Sequence, residues 1–314
     1  MLLRIRVALL AGVAIAFAAS VQNGGATSAR AAAATIREHS WVSPAAMHQA
    51  KSSGLLFVAD TDNNVVDIFP LKKPSSPIGQ IKGLLSLPSA LAVDGSGNLF
   101  VYNSRTNSIL EFTPPYTHAP LKTFYDGVSD VLSITVDAAG TIYTADYYTV
   151  VEFLHGESRG TIVSLPVSPT GVTLDSRGEL VCAFDGNGAA GVLLLTHGSP
   201  LPKNLLIPLE TGAADVLFDS MGNLLVEDTG GAYINIYAPG TRKPSKKITS
   251  GFISPEHMAF SSDKQTLYVA DYGNGSASGT VTALTYPSGS VEWRLSDFAK
   301  DSPQGIAVSP AAIP

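Results

Sequence analysis

The sequence predicts an all-β protein made of six similar units, and three observations support this. An apolar run that ends in an acidic or amide residue recurs at Asp60, Asn103, Asp146, Asp185, Asp228 and Asp271. The separations between these residues are 43, 43, 39, 43 and 43 positions. Gly and Pro, at 29 and 20 of 314 residues, are frequent enough for many turns. A period of this size is typical of repeat architectures.

Each repeat has the pattern of four short strands. In one repeat the first strand is LAVD, the turn GSGN follows, and the second strand is the recurring run LFVYN. A polar turn then leads to a third strand, SILEF, and a Pro-bearing turn to a fourth, LKTFYDG. Four strands in about 40 residues, without helices between them, are typical of a β-propeller blade. The chain is therefore predicted to be a six-bladed β-propeller.

The two ends of the repeat region predict how the ring closes. The segment before Leu55 contains no strand like LAVD, so the first blade lacks its first strand. The C-terminal run GIAVS, at 305–309, has the pattern of a first strand but no second strand follows it. Placing 305–309 as the inner strand of the first blade completes that blade and removes an exposed sheet edge.

The N-terminus has the pattern of a secretory signal, predicted over residues 1–19. Two arginines in MLLRIR precede an apolar stretch of 13 residues and small residues suited to cleavage. The stretch is shorter than the roughly 20 residues of a membrane-spanning helix. Residues 20–45 are predicted to be flexible and 46–314 to form the propeller. The mature chain is expected to be secreted or periplasmic, without a membrane span.

Charge and cysteine content limit the partners. The net charge of −6 argues against a nucleic-acid partner, which would need a basic face. A monomer is expected, with a protein or glycan ligand. The single cysteine, Cys182, excludes an internal disulfide, and its apolar run ELVCAF favours a buried packing role over that of a nucleophile.

The stretch DTDNN, residues 60–64, resembles a metal-binding loop. Asp60, Asp62 and Asn64 alternate as in the first positions of an EF-hand. Val65 stands where that loop needs Gly, and Leu71 stands where it needs Glu. A calcium loop is therefore excluded, and the stretch is interpreted as the turn between two strands of a blade. Asp60 and its equivalents Asn103 and Asp146 are expected to accept backbone N–H bonds there.

The segments PSALAVDGSGNLFVYNSRTNSILEF and LLFVADTDNNVVDIF resemble NHL repeats, and the resemblance covers all six repeats. It implies a six-bladed propeller. NHL-type propellers include scaffolds that bind proteins, sugars or nucleic acid, and distantly similar propellers include gluconolactonase-like metal-dependent hydrolases and an amidating lyase. Trp41 is followed by VSPAA, so the early Glu of the gluconolactonase-like group has no counterpart. Where the lyase has several His ligands, this chain has His257 and, at the aligned positions, Ala90, Ser133, Gly171, Asp215 and Gly305.

Functional residues are expected where the loops that lead into the inner strands ring one mouth of the central channel. These loops contribute six candidate ligand-binding residues: Asp130, Ser133, Asp215, Glu256, His257 and Gln304. Asp215 and His257 come from neighbouring blades. A carboxylate and an imidazole placed together could bind a divalent metal ion or act as acid and base. The alternative is a polar mouth without chemistry.

Two functions therefore remain open. The first is a binding scaffold for a protein, a glycan or another extracytoplasmic ligand. The second is a metal-assisted hydrolase or lyase, lactonase-like, that works through Asp215 and His257. Four tyrosines near the recurring polar residues could stack on a ligand, but packing between blades is the favoured interpretation: Tyr102, Tyr147, Tyr148 and Tyr272.

Overall fold

The computed structural model describes residues 40–125, 129–186, 189–196, 202–209, 212–274, 278–296, 298 and 302–311. The predicted signal segment 1–19 and residues 20–39 lie outside these ranges. The described residues form six antiparallel sheets arranged as a ring, so the predicted six-bladed β-propeller is confirmed. Within the described ranges, no helix has the length and apolar character needed to cross a membrane.

The first twelve strands of the chain belong to blades one to three. Blade one contains β1 (Trp41–Val42), β2 (Leu55–Asp60), β3 (Val65–Pro70) and β4 (Gly79–Ile81), with helix α1 (Pro44–Ser52) between β1 and β2. Blade two contains β5 (Pro88–Val93), β6 (Leu99–Asn103), β7 (Ser108–Phe112) and β8 (Lys122–Phe124), with a 3-10 turn at Ser104–Thr106. Blade three contains β9 (Ser133–Val136), β10 (Ile142–Asp146), β11 (Thr149–Phe153) and β12 (Thr161–Ser164).

The remaining blades repeat this order. Blade four contains β13 (Pro169–Leu174), β14 (Leu180–Gly186), β15 (Ala189–Leu195) and β16 (Lys203–Asn204). Blade five contains β17 (Ala213–Phe218), β18 (Leu224–Asp228), β19 (Tyr233–Tyr237) and β20 (Lys246–Ile248). Blade six contains β21 (Pro255–Phe260), β22 (Thr266–Asp271), β23 (Thr280–Thr285) and β24 (Ser290–Leu295).

The C-terminal strand β25 (Gly305–Val308) closes the ring, as predicted. It pairs antiparallel with β2, where Leu56 lies opposite Val308 and Ala59 opposite Gly305. The N–H of Leu55 also donates to Ser309 Oγ at 2.8 Å. Strand β25 then serves as the inner strand of blade one, and the inner strands β25, β5, β9, β13, β17 and β21 contact one another in turn around the channel.

Blade one has an additional strand at its outer edge. Trp41 and Val42 pair with Gln80 and Gly79, and Trp41 Nε1 donates to Gln80 Oε1 at 3.3 Å. The sheet therefore begins five residues before the predicted domain start at residue 46. These backbone bonds cover the edge of β4, which would otherwise present unpaired N–H and C=O groups.

The core lies between the blades. Side chains alternate across each strand, so successive residues contact opposite neighbours. In β18, for example, Leu225 packs with blade six and Val226 packs with blade four. The described residues form six such apolar clusters, one at each blade–blade interface. Cys182 is fully buried in one of them, which confirms its predicted packing role.

Candidate functional site at the channel mouth

The loops that lead into the inner strands are held by the recurring polar residue of the second strand. In blades two, three and six this residue accepts a backbone N–H from the loop of its own blade. The bonds run from Ser86 to Asn103 at 2.6 Å, from Ser129 to Asp146 at 2.8 Å and from Ser254 to Asp271 at 2.9 Å. The predicted backbone bonds of Asn103 and Asp146 therefore exist, and they position the channel mouth.

Blade one differs because its loop comes from the other end of the chain. Asp60 Oδ2 accepts the side-chain amide of Asn63 at 2.9 Å, rather than the backbone N–H expected from the sequence. The C-terminal loop is bound by the same turn, two residues after Asp60, where the N–H of Asp62 donates to Ser302 Oγ at 3.2 Å. Asn64 has a left-handed backbone, with φ of 57°, so DTDNN is the turn that its repeats predict.

A cavity of about 270 Å³ opens at this mouth and spans four blades. Four of the six predicted residues line it, namely Asp130, Glu256, His257 and Gln304. Two more lining residues, Tyr102 and Tyr272, are among the tyrosines that the sequence offered as possible stacking surfaces, and sequence reasoning missed the remaining four: Ser89, Ser104, Val131 and Leu132. The structure thus gathers carboxylates, an imidazole, an amide, hydroxyls and two tyrosines in one place.

Asp130 is held in an unusual conformation at the rim. It is exposed and has a φ of 53°, in the left-handed region that few residues other than Gly, Asn and Asp adopt. The adjacent Val131 packs in one apolar cluster with the buried Tyr102, whose hydroxyl lies near the backbone of Asp130 and Val131. Tyr102 donates that hydroxyl proton to Asn107 Oδ1 at 3.1 Å. The loop that presents the Asp130 carboxylate to the cavity therefore packs against a buried, hydrogen-bonded tyrosine.

The other two predicted residues, Asp215 and Ser133, lie outside the cavity lining. Each accepts a backbone N–H from the inner strand of the following blade. Asp215 Oδ2 accepts from Met258 at 2.9 Å, and Ser133 Oγ accepts from Val172 at 3.2 Å. Asp215 and Ser133 occupy equivalent positions in their blades, and each of these hydrogen bonds joins its blade to the next one.

Asp215 and His257 are neighbours, with 4.0 Å between Asp215 Oδ2 and His257 Nδ1. Burial raises the pKa of Asp215 to about 7, although backbone N–H bonds from Met258 and Val216 oppose the shift. Burial lowers the pKa of His257 to about 4, so the imidazole is neutral at neutral pH. In the described part of the chain, no group of three or more His, Cys, Asp or Glu side chains is arranged to hold a metal ion.

A further carboxyl group, Glu227, lies behind this mouth and was missed from the sequence. It is fully buried, and neither Oε atom has a hydrogen-bond partner among the described residues. Burial, with the negative charges of Asp215, Glu256 and Asp271, raises its pKa well above the usual range. The equivalent second-strand position is Ala in three blades: Ala59, Ala145 and Ala270. The contrast between LLVED and LYVAD was the signal in the sequence.

The four tyrosines separate into two groups. Tyr102 is buried and Tyr272 half-buried, and both line the mouth cavity. Tyr147, 63% exposed, and Tyr148, 36% exposed, pack edge-to-face at 4.5 Å on the surface of blade three. Inter-blade packing therefore describes Tyr102 better than it describes the exposed pair.

Larger grooves, of about 500 and 720 Å³, lie between blades at the opposite ends of the strands. Apart from Glu111 on β7, their carboxylates belong to the turns after the inner strands and already accept backbone bonds: Asp94, Asp137, Asp175 and Asp219. Asp137 Oδ1, for example, accepts from Ala139 at 2.9 Å and from Thr141 at 2.8 Å. The channel mouth is therefore the better candidate site despite its smaller volume.

The fold and this mouth define a six-bladed β-propeller with a polar cavity at one end of its channel. No protein-family model matches the chain, and no curated protein matches its sequence.

Solved structures match the fold. A chain in the crystal structure of a nidogen/laminin complex has a TM-score of 0.69 at 15% identity, over 82% of this chain and 98% of that chain. A protein of unknown function from Bacteroides caccae has a TM-score of 0.61 at 12% identity, over 82% and 99%. A streptogramin B lyase has a TM-score of 0.52 at 14% identity, over 69% and 70%. At these identities the likeness concerns the fold alone.

Proposed function

We propose that this chain is an exported propeller with NHL-type repeats that binds an extracytoplasmic ligand, a protein or a glycan, at the mouth of its channel. The observation that carries the proposal is the cavity that gathers Asp130, Glu256, His257 and Gln304 from two loops and the start of β21. Polar groups that converge on one concave site are typical of ligand binding. The signal-like N-terminus supports a secreted or periplasmic protein, and the absence of a basic sequence bias supports a ligand other than nucleic acid.

The shape of the mouth also supports recognition. Glu256 is held at the start of β21 by the 3.2 Å bond from Ser254 Oγ to Glu256 Oε1, and the loop of Asp130 packs against the buried Tyr102 through Val131. Polar groups held in advance lose little conformational entropy on binding. The nidogen/laminin complex contains a propeller of similar fold in a protein complex, which is compatible with a protein ligand here.

Glycan and peptide arrays probed with the full-length chain test this proposal. We expect at least one ligand whose capture falls in the variants Glu256→Gln and Tyr272→Ala. The matched control is Glu157→Gln, because Glu157 is exposed in a turn at the opposite face. Capture that is insensitive to the mouth variants would contradict a mouth site. Mapping the N-terminus of the exported protein tests the predicted cleavage after the signal segment.

A hydrolase or lyase at the same mouth is the second candidate. One observation favours it: a neutral His257 lies 4.0 Å from the buried carboxyl group of Asp215. A neutral imidazole can take a proton from a substrate. Metal analysis of the purified protein, together with turnover assays of His257→Gln, separates the two candidates. Stoichiometric metal that is lost in His257→Ala and Asp215→Ala would favour the enzyme over the scaffold.

A further inference from the structure

The chemistry of the mouth cavity indicates which kind of group it accepts. Its charged lining residues are the carboxylates Asp130 and Glu256, and its imidazole, His257, is neutral at neutral pH. Arg105 lies outside the lining, at the rim loop that leads into β5, where its Nε donates to Ser86 Oγ at 3.0 Å. The lining therefore carries negative charge without a basic side chain of its own.

A second, independent observation lies behind the cavity wall. Glu227 alternates with Leu225 on β18, so its side chain lies in the interface with blade six, where Glu256 and His257 begin β21. The groups that act electrostatically on Glu227 are all carboxylates: Asp215, Glu256 and Asp271. Both Glu227 oxygens are unpartnered among the described residues. Four carboxyl groups thus share one region, and a positive group at Glu256 would favour the ionised form of its carboxyl neighbours.

The aromatic lining further limits the kind of positive group that the cavity accepts. Tyr272, which is half-buried, lines the same cavity as the two carboxylates, whereas Tyr102 is 1% exposed and packs between blades two and three. Aromatic faces attract organic cations through the negative charge of their π-systems, most strongly where water is excluded. A bare metal ion is less suited, because the described residues offer no group of three metal-ligating side chains.

We infer that the group entering this cavity is an organic cation, a protonated amine or a quaternary ammonium group, held by Asp130 and Glu256 beside Tyr272. The inference rests on the proposed binding role of the mouth. A cavity of about 270 Å³ fits a small cationic group, such as the end of a longer ligand, rather than a whole folded partner.

Calorimetry with choline and its uncharged isostere 3,3-dimethyl-1-butanol tests the inference on the full-length chain. We expect choline to bind about tenfold more tightly than the isostere. Glu256→Gln and Asp130→Asn should each reduce that preference severalfold, whereas Glu157→Gln should leave it unchanged. Equal binding of the two probes, or a preference for the isostere, overturns the inference.

The array experiment separates this inference from the proposed function. If neither probe binds and the mouth-dependent array ligands are uncharged, the cation inference fails while the binding role stands. If neither probe binds but mouth-dependent ligands all carry an amine or ammonium group, the inference is supported. If array ligands ignore the mouth variants and neither probe binds, both proposals fail.

Discussion

Asp215 Oδ2 accepts the backbone N–H of Met258 at 2.9 Å, so a carboxyl group of blade five is bonded to the inner strand of blade six. The equivalent bond joins blades three and four, where Ser133 Oγ accepts from Val172. The residue that the sequence predicts as one half of an acid–base pair therefore also holds two blades together. Substitutions at Asp215 will combine an effect on stability with any effect on function.

Asp215→Ala should lower stability by about 1–3 kcal/mol, because the buried Met258 N–H loses its acceptor. Asp215→Asn should cost less, since the amide oxygen remains an acceptor. The measurement is chemical denaturation at about pH 5, below the raised pKa of about 7, where the native carboxyl is largely protonated. Ser133→Ala, which removes the matched acceptor in blade three, should also destabilise. Equal stability of Asp215→Ala and Asp215→Asn would contradict a hydrogen-bonding role.

Glu227→Gln should make the stability of the fold less sensitive to rising pH. The folded-state pKa of Glu227 is raised, so the native protein holds a proton that the unfolded chain releases near its ordinary pKa of about 4.3. Stability is therefore lost as pH rises above about 4.3 toward the folded pKa, and no such loss occurs below that window. The melting temperature of Glu227→Gln relative to wild type should accordingly increase between about pH 4 and pH 8.

Thermal melts across that range, with Glu157→Gln as the control, measure the effect. Glu157 is exposed, so its variant should follow the wild-type pH profile. Asp215 contributes in the same direction in both proteins, so the difference between their profiles reports Glu227 together with its coupling to Asp215. A difference between Glu227→Gln and wild type that is constant with pH would mean that Glu227 titrates normally in the fold.

The Cys182 thiol should resist modification in the native protein. It is fully buried, and burial raises its pKa to about 12, so almost no thiolate forms at neutral pH. Labelling with a disulfide reagent should be about a hundredfold slower in buffer than in denaturant, where one thiol per chain reacts. Fast labelling of the folded protein would contradict the burial of this side chain.

The fold was predictable because its signals repeat. A run such as LFVAD is weak evidence alone, but six copies at nearly constant spacing fix the strands, the turns and the number of blades. Ring closure followed from one missing strand at Leu55 and one surplus strand at 305–309. The hydrogen-bond partner of Asp60 was not predictable. The loop that leads into the inner strand of blade one comes from the distant C-terminus, so the pattern of the other blades does not apply there.

The site was predictable only in part, for a physical reason. Loop position identified Glu256 and Gln304, since these residues lead into inner strands and must lie near the channel. It also selected Asp215 and Ser133, whose side chains turn away to neighbouring backbone. Glu227 was missed because it lies within a strand whose residues are otherwise core, and its environment is formed by another blade. Contacts between blades are set by tertiary packing, which a repeat pattern does not encode.

Gly305→Ala should destabilise the closed ring strongly. A Cβ at this position would overlap the backbone carbonyl of Ser89 and press on Leu91 of the next inner strand. Overpacking of this kind costs about 1–3 kcal/mol or more. Gly95→Ala is the matched control, because a Cβ there meets nothing within 4 Å. If both variants melt at the wild-type temperature, β25 and β5 do not approach as closely as the structure shows.

Deletion of residues 304–314 should greatly lower thermal stability, since it removes the strand that joins the two ends of the chain. The deletion leaves β2 with an unpaired edge and the Leu55 N–H without Ser309 Oγ. It also removes Ile306 from an apolar cluster that includes Leu56 and Val58. Deletion of 312–314, which lie outside the described residues, is the control for shortening and should leave the melting temperature unchanged.

Because the longer deletion can prevent folding altogether, Ile306→Ala tests the same closure more gently. Ile306 is 4% exposed, and truncation of a buried Ile to Ala typically costs about 2–5 kcal/mol. A decrease in the denaturation midpoint of that size, with unchanged cooperativity, is the result expected if β25 folds together with the six blades. A melting temperature unaffected by the 304–314 deletion would show that the ring is stable without its closing strand.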